Sequence, residues 1–146
     1  MNPNAVDVLL VEDNLDDAEL TIRELKRYHI SNKLFHVRDG EEALEFLFGT
    51  GKYANELVNY EGPKIILLDI QMPRISGMEV LKSIKSDDRT SAIPVIILTS
   101  SNQHPNIQAC YDLGANSYIV KPLNFERFSQ SIRNLGYHWL LLNQAP

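Results

Sequence analysis

Four short, continuously apolar runs constrain this chain more than any other feature of its sequence. They are Val8 to Val11, Ile65 to Leu68, Val95 to Leu98 and Tyr118 to Val120. Runs of this length that do not alternate with polar residues are typical of strands buried on both faces. Between the runs lie segments with the apolar spacing of helices. The sequence therefore predicts an α/β fold with a doubly wound parallel sheet and helices on both faces.

Strand-like and helix-like segments alternate along the chain without an internal repeat. The predicted strands are Val6 to Val11, Leu34 to Val37, Ile65 to Leu68, Val95 to Leu98 and Tyr118 to Val120. Two predicted helices run from Leu15 to Tyr28 and from Pro105 to Leu113. Three more are marked by apolar positions with helical spacing, at Ala43 to Phe48, Met78 to Ile84 and Phe125 to Leu135, the last ending near Gly136. Successive strand–helix units favour parallel strands joined by helical crossovers. Residues 52–62 are expected to form an irregular or short helical insertion before the third strand.

Groups that can bind cations or phosphate directly follow four of the predicted strands. Glu12 and Asp13 follow the first strand, Asp69 the third, Thr99 the fourth and Lys121 the fifth. Ligands of open α/β sheets bind outside the carboxyl ends of the strands, so we expect these side chains to meet there. An acid cluster in that place favours a divalent cation. A lysine and a hydroxyl beside the cation favour a phosphoryl group.

The composition argues against several classes of partner. The 146 residues suffice for one domain, and a net charge of -5 without a cluster of Lys and Arg argues against nucleic acid. No run approaches the roughly twenty apolar residues of a membrane span, and the start of the chain lacks a signal-peptide pattern. The single cysteine, Cys110, cannot form an internal disulfide and is expected in the core. We therefore expect a cytoplasmic protein without membrane or nucleic-acid partners.

The strand-end residues lie in motifs that resemble the receiver domains of two-component response regulators. The matching segments are Leu-Val-Glu-Asp-Asn at 10–14, Leu-Leu-Asp-Ile-Gln-Met-Pro at 67–73, Ser-Gly at 76–77, Ile-Leu-Thr-Ser-Ser at 97–101, Leu-Gly-Ala-Asn-Ser-Tyr at 113–118 and Val-Lys-Pro-Leu at 120–123. The resemblance implies the flavodoxin-like strand order 2-1-3-4-5. It also implies a receiver domain at residues 1–136, followed by an apolar extension at 137–146.

The resemblance assigns a role to each acid at the edge. Asp69 is the implied acceptor of a phosphoryl group from the phosphohistidine of a sensor histidine kinase. Asp13, Asp69 and the main-chain carbonyl of Gln71 are the implied Mg²⁺ ligands. Glu12 is expected to reach the ion through water or to hold Asp13 in place. The acids need such a cation because two like charges about 4 Å apart repel by roughly 4 kcal/mol at an effective dielectric of about 20.

The same resemblance implies how the phosphoryl group is held and how its arrival is signalled. Lys121 and the hydroxyl of Thr99 are expected to contact phosphoryl oxygens. Pro122 is expected to follow a cis peptide bond that turns Lys121 inward. Tyr118 is expected to turn inward with Thr99 and so to change the surface of the fourth helix, fifth strand and fifth helix. The chain is thus predicted to be a signalling switch rather than an enzyme.

Two further features narrow the predicted partners. The insertion at 52–62 and the tail from Tyr137 to Leu142 resemble the stand-alone receivers that partner phytochrome histidine kinases of the cyanobacterial type. We therefore expect a phytochrome kinase as phosphodonor, and no output domain on this chain. The tail is apolar and aromatic, so it either folds back onto the core or joins the fourth helix, fifth strand and fifth helix in a homodimer interface, which we favour.

Three other interpretations remain open at this point. A flavodoxin-like electron carrier would share the topology, although the acids at 12–17 would repel a flavin phosphate. A phosphatase of the haloacid dehalogenase type would also use an Asp at a strand end, but Gln71 stands where its second acid is needed. A degenerate receiver could keep the fold as a scaffold without the chemistry. Taken singly, Asp13 could also be a helix cap, and Tyr118 could be a core residue.

Overall fold

The computed structural model describes residues 6–28, 34–54, 62–100 and 107–136, and five strands within them form one sheet. The strands are β1 (Val8–Val11), β2 (Leu34–Val37), β3 (Ile65–Asp69), β4 (Val95–Thr99) and β5 (Ser117–Val120). Their order is β2-β1-β3-β4-β5, and every neighbouring pair is parallel. This flavodoxin-like order confirms the fold predicted from the sequence.

Helices connect the strands and cover both faces of the sheet. They are α1 (Leu15–Arg27), α2 (Gly40–Phe48), α3 (Gly77–Ser86), α4 (Ile107–Asp112) and α5 (Phe125–Asn134). A short 3-10 helix, Gly51–Tyr53, follows α2. Among the described residues, none of the helices combines the length and apolar character that a membrane span requires.

Burial on both faces explains why the strands are continuously apolar. In β1, Val8 and Leu10 pack with residues of α1 and α5, whereas Leu9 and Val11 pack with residues of α2, α3 and α4. All four are fully buried. Cys110 lies in the cluster on the α2 side as a free, buried thiol, as predicted. Since neither face of this strand meets solvent, no alternation with polar residues arises.

Four helices begin at a residue whose side chain caps the first turn. In each case a side-chain oxygen accepts the backbone N–H three residues later, in the pairs Asn14 with Asp17, Asp39 with Glu42, Ser76 with Glu79 and Asn124 with Arg127. The Ser76 pair is a reciprocal capping box. These caps satisfy N–H groups that a helix start leaves without a partner in the helix. They place the helix starts directly beyond the edge where the site is predicted.

The strands that carry the predicted site differ slightly from the expected boundaries. β1 begins two residues later than predicted, because its ladder with β3 starts at the pair of Val8 and Ile65. The Asp7 carbonyl just before this pair accepts the N–H groups of Lys64 and Ile65. β3 and β4 extend one residue further than predicted and so include Asp69 and Thr99. These two polar residues therefore belong to the sheet itself.

The helix ends lie close to the predicted ones. α1 ends at Arg27, one residue before the expected end, and α5 ends at Asn134, two residues before Gly136. α2 begins at Gly40, three residues before the predicted stretch, because Asp39 caps it there. The predicted start of the fourth helix at Pro105 lies outside the described residues, as do residues 55–61 of the insertion and the tail at 137–146.

Gly77 allows α3 to begin directly against the end of β3. A Cβ atom at this position would lie 2.2 Å from the carbonyl oxygen of Asp69 and 2.6 Å from the Cα of Ile70. Both neighbours are backbone atoms, which cannot rotate away. The Gly77 N–H also donates to the Ile70 carbonyl at 3.2 Å. The glycine of the Ser-Gly motif therefore meets a packing requirement beside Asp69.

We expect Gly77→Ala to lower the free energy of unfolding by about 1–3 kcal/mol, the usual cost of overpacking a rigid site. In an open helical position the same change would instead stabilise by about 0.5–1 kcal/mol. Urea unfolding followed by circular dichroism measures the difference. Gly136→Ala is the control, because a Cβ there meets no atom within 4 Å and only the positive φ of 77° opposes it. Equal stability of Gly77→Ala and the wild type would contradict the close approach.

Candidate functional site

Four of the predicted residues lie at the carboxyl edge of the sheet. Glu12 follows β1, Asp69 and Thr99 end β3 and β4, and Lys121 follows β5. The Glu12 N–H donates to the Val37 carbonyl at 3.1 Å, and the Lys121 N–H donates to the Thr99 carbonyl at 2.7 Å. Glu12 and Thr99 are fully buried, and Asp69 is 3% exposed. The sheet topology thus brings residues far apart in the sequence to one edge.

Three carboxyl groups form a tight cluster at this edge. One oxygen each from Glu12, Asp13 and Asp69 lies within 4.8 Å of the other two. Burial, reinforced by a hydrogen bond to Glu12 and by its charge, raises the pKa of Asp69 to about 6. Burial and the neighbouring Asp69 also raise the pKa of Asp13. The raised pKa values show that the surroundings do not fully compensate the negative charge of the cluster.

Lys121 supplies positive charge to these acids. Its Nζ atom lies 2.9 Å from Glu12 Oε1, 3.1 Å from Asp17 Oδ2 and 3.3 Å from Asp69 Oδ1. Burial lowers the pKa of Lys121, but the close contact with Glu12 and the charges of the acids outweigh burial and raise it above its ordinary value. The bond between Lys121 and Pro122 is cis, as predicted. One ammonium group thus faces three carboxyl groups.

The cluster fits a hard divalent cation such as Mg²⁺. Carboxylate oxygens are preferred ligands of Mg²⁺. Glu12 Oε1 is buried and accepts no hydrogen bond of regular geometry from the described residues, and its contact with Lys121 is an ion pair. Glu12 Oε2 accepts the Asn14 N–H at 3.2 Å. A buried carboxylate with one oxygen bonded to an N–H group and the other paired only with a cation is suited to lie beside a metal ion.

The remaining predicted residues lie where the sequence places them, while their roles stay predictions. The Gln71 N–H donates to Asp69 Oδ1 at 3.1 Å, so the main chain of Gln71 adjoins that carboxylate. Thr99 ends β4 one residue after Leu98, which pairs with Asp69 of β3. Tyr118 is half-buried in β5, and its ring meets that of Tyr111 edge-on, with 6.2 Å between the centroids.

Two residues that the sequence does not predict also contact the site. Asp17 contacts Lys121. In the sequence, Asp17 stands out only as an acid in the first turn of a predicted helix, where it interacts favourably with the helix dipole. His36 Nε2 donates to the Glu12 carbonyl at 2.8 Å. The start of α1 could have indicated Asp17, since a helix that begins at the sheet edge places its first turn there. No sequence signal marks His36, because its contact depends on β2 lying beside β1.

A comparison with known protein families matches residues 8–133 to the response regulator receiver domain. The chain belongs to this family. The match spans all five strands and every residue of the carboxyl-edge cluster formed by Glu12, Asp13, Asp69 and Lys121. Family membership therefore favours the receiver domain over the two other interpretations, the flavodoxin-like electron carrier and the phosphatase of the haloacid dehalogenase type.

Relatives of similar length cover nearly all of the chain. The response regulator Rcp1 of Synechocystis sp. is 36% identical over 139 residues, which are 95% of this chain and 91% of Rcp1. The probable methanogenesis regulatory protein FilR2 of Methanothrix harundinacea is 35% identical over 139 residues, which are 95% of this chain and 86% of FilR2. Receiver proteins with different named pathways therefore resemble this chain to a similar degree.

Solved structures share the fold. The bacteriophytochrome response regulator AtBRR is 40% identical, with a TM-score of 0.82 over 90% of this chain and 93% of AtBRR. The Mn²⁺-bound form of Rcp1 is 35% identical, with a TM-score of 0.71 over 92% of this chain and 94% of Rcp1. The chain is thus similar to phytochrome response regulators, and the metal in Rcp1 agrees with the acid cluster described above.

We expect Asp69→Asn to stabilise the protein at pH 7 in the presence of EDTA. Because folding raises the pKa of Asp69 from 3.8 to about 6, ionising this group costs the folded state more than the unfolded state. Stability is therefore lost as the pH rises from about 4 through about 6, by at most about 3 kcal/mol. The variant lacks this loss, so urea unfolding should show equal stabilities near pH 4 and a more stable variant at pH 7.

The control for this prediction is Asp88→Asn, which removes an exposed acid in the turn after α3. Added Mg²⁺ should reverse the order of stabilities, because the ion binds the folded wild type and the variant has lost one ligand. A variant less stable than the wild type at pH 7 in EDTA would show that Lys121 fully compensates Asp69.

Proposed function

We propose that Asp69 accepts a phosphoryl group from the phosphohistidine of a sensor histidine kinase, in a reaction that requires Mg²⁺. The observation that carries this proposal is the placement of Asp69, whose carboxylate lies in the acid cluster and 3.3 Å from Lys121 Nζ. A nucleophile between a cation site and an ammonium group can approach a phosphate despite the negative charge of both. Membership of the receiver domain family supports the same role.

The proposed reaction forms one bond and breaks one. A carboxylate oxygen of Asp69 attacks the phosphorus of the phosphohistidine, the P–N bond breaks, and the imidazole leaves with the electron pair and takes up a proton. The product is an acyl phosphate on Asp69. Such a mixed anhydride is labile in water, so the modification is reversible and can carry a signal.

Mg²⁺ would be held by Asp13, Asp69 and the main-chain carbonyl of Gln71, with Glu12 behind them. When bound, the ion would neutralise negative charge on the transferring phosphoryl group. The support for this set is the close approach of the three carboxylates and the hydrogen bond that fixes Gln71 beside Asp69.

Lys121 and Thr99 are proposed to hold the phosphoryl oxygens. The Lys121 ammonium already lies beside the carboxylate that would be phosphorylated, so a charge-assisted hydrogen bond to the new group needs little movement. Thr99 is the last residue of β4 and lies at the same edge of the sheet as Asp69. Its hydroxyl would donate to a second phosphoryl oxygen.

We propose a phytochrome histidine kinase as the phosphodonor. The support is the similarity to the bacteriophytochrome response regulator AtBRR at 40% identity over 90% of this chain. FilR2, whose name places it in methanogenesis, is 35% identical. The proposal therefore rests on the higher identity to AtBRR. Because the kinase takes its phosphate from ATP, the exchange would occur in the cytoplasm.

Phosphorylation is further proposed to act through Tyr118 on the surface formed by α4, β5 and α5. β5 is an edge strand, and Tyr118 packs against Tyr111, which is 39% exposed on α4. Inward rotation of Tyr118 would break this ring contact and alter the surface to which Tyr111 belongs. This surface, with the tail from Tyr137 to Leu142 that lies outside the described residues, is the proposed homodimer interface.

Incubation with acetyl phosphate and Mg²⁺ should add one phosphoryl group to the wild type. Intact-mass spectrometry would detect the gain, and its loss on brief alkaline treatment would identify an acyl phosphate. The gain should be absent from Asp69→Asn and from the wild type in EDTA. Asp88→Asn, with the same change in charge, should be phosphorylated normally. A gain that persists in Asp69→Asn would contradict Asp69 as the acceptor.

The phosphodonor is tested by transfer from purified, autophosphorylated kinases. A phytochrome histidine kinase should phosphorylate the wild type with a higher kcat/KM than a kinase with a chemical sensor, because specificity is a ratio of these constants. Transfer should also change between red and far-red illumination. Equal kcat/KM values for the two kinases, or no transfer from the phytochrome kinase, would reject the phytochrome as the phosphodonor.

The coupling through Tyr118 is tested by self-association in the phosphorylated and unphosphorylated states. Analytical ultracentrifugation should show at least about a fivefold difference in dimer affinity for the wild type, the lower end of typical coupling between sites. Tyr118→Ala should remove the difference, because no ring is left to move. Tyr118→Phe keeps the ring but removes the hydroxyl, so it distinguishes the contribution of the hydroxyl from that of ring packing. If both variants keep the wild-type difference, Tyr118 serves only in packing.

A further inference from the structure

The ammonium group of Lys121 is shared among three acids that have different positions in the site. Glu12 and Asp69 belong to the acid cluster that fits a cation, whereas Asp17 lies outside it, in the first turn of α1. The contact from Lys121 Nζ to Asp17 Oδ2, at 3.1 Å, has the geometry of a hydrogen bond. The contacts with Glu12 and Asp69, at 2.9 and 3.3 Å, are ion pairs.

An ammonium group has three N–H donors and no acceptor, so three acids can in principle use all of them. Phosphorylation turns the carboxylate of Asp69 into an acyl phosphate. Phosphoryl oxygens then replace the carboxylate oxygen as acceptors for Lys121. A cation in the cluster would likewise compete for Glu12. Asp17 is the one acid of the three that neither reacts nor belongs to the cation cluster.

We propose that Asp17 is a positioning residue that holds the Lys121 ammonium at the mouth of the site while its other two partners change. This role goes beyond the proposed function, on which its consequence for phosphoryl transfer rests. Lysine carries its charge on a flexible four-carbon chain, so an ammonium without a fixed partner samples many positions. If the Lys121 ammonium is held in place before the phosphoryl group arrives, it loses less conformational entropy when it binds that group.

The backbone of Asp17 is held at the start of α1, beside Lys121. The Asp17 N–H donates to Asn14 Oδ1 at 3.0 Å, which caps α1. The side chain of Lys121 is 15% exposed and that of Asp17 is 35% exposed. The pair is therefore more shielded from water on the lysine side than on the aspartate side.

Asp16 provides a matched control for Asp17. Both are acids in the first turn of α1, so their removal changes the net charge and the interaction with the helix dipole alike. Asp16 is exposed and no contact joins it to Lys121 in the described part of the chain. A difference between Asp17→Ala and Asp16→Ala therefore reports the contact with Lys121 and not the charge of the helix.

The first measurement is ¹H–¹⁵N NMR of the lysine ammonium groups at low temperature. An ammonium held by acids exchanges its protons with water slowly enough to be seen, and the Lys121 signal is assigned by its absence from Lys121→Gln. With Mg²⁺ added to occupy the acid cluster, the signal should be present in the wild type and in Asp16→Ala, and lost in Asp17→Ala. Asp17→Asn, whose amide oxygen still accepts, should keep a weaker signal. A full signal in Asp17→Ala would overturn the proposal.

The second measurement is the affinity for beryllofluoride, an analogue of the phosphoryl group, in Mg²⁺ by calorimetry. Asp17→Ala should bind it about three- to tenfold more weakly than Asp16→Ala, as expected for loss of a partly exposed charged hydrogen bond. Equal weakening in both variants would show a helix effect, and tighter binding in Asp17→Ala would show that Asp17 competes with the phosphoryl group. Either result would overturn the positioning role.

The two measurements separate this proposal from the proposed function. Failure of the wild type to become phosphorylated by any donor would contradict the function of Asp69, whereas the NMR signal of Lys121 tests Asp17 in the unmodified protein. A phosphorylated wild type with an unchanged Lys121 signal in Asp17→Ala would contradict Asp17 alone.

Discussion

The site depends on an imbalance of charge at the carboxyl edge of the sheet. Glu12, Asp13 and Asp69 lie close together, and Lys121 faces them as a shared cation. Because Glu12 and Asp69 are buried, the repulsion at this edge is not screened as it would be at the surface. The raised pKa of Asp69 is the measurable sign of this imbalance. The same imbalance makes the edge receptive to a divalent cation and, with it, to a phosphate.

The rest of the fold keeps this unfavourable arrangement in place. A cost of a few kcal/mol is a large part of the roughly 5–15 kcal/mol by which a typical domain is stable. The sheet is packed on both faces by two apolar clusters, and Asp69 and Thr99 are held by the ladder itself. Gly77 lets the next helix start against Asp69, where any side chain would displace the backbone. The residue that reacts is thereby held by rigid elements rather than by a loop.

The accuracy of the sequence-based predictions depended on the range of the interactions. The strand order, the positions of Asp69, Thr99 and Lys121 at one edge and the cis bond before Pro122 were all predicted. The contact of Asp17 with Lys121, across 104 residues of chain, was not. Local periodicity and motifs reveal elements and reactive groups, but they carry no information about which side chain on one element reaches a given side chain on another.

The sequence by itself determined the elements, their parallel arrangement and the chemical groups at the strand ends. It did so because burial on both faces demands unbroken apolar strands, and because a parallel sheet brings every strand end to one edge. Only the tertiary structure decided how those groups share charge: which acids lie within contact of Lys121, how far Asp69 is shielded, and that His36 and Asp17 belong to the site. These properties are set by distances and by exclusion of water, which exist only once the chain has packed.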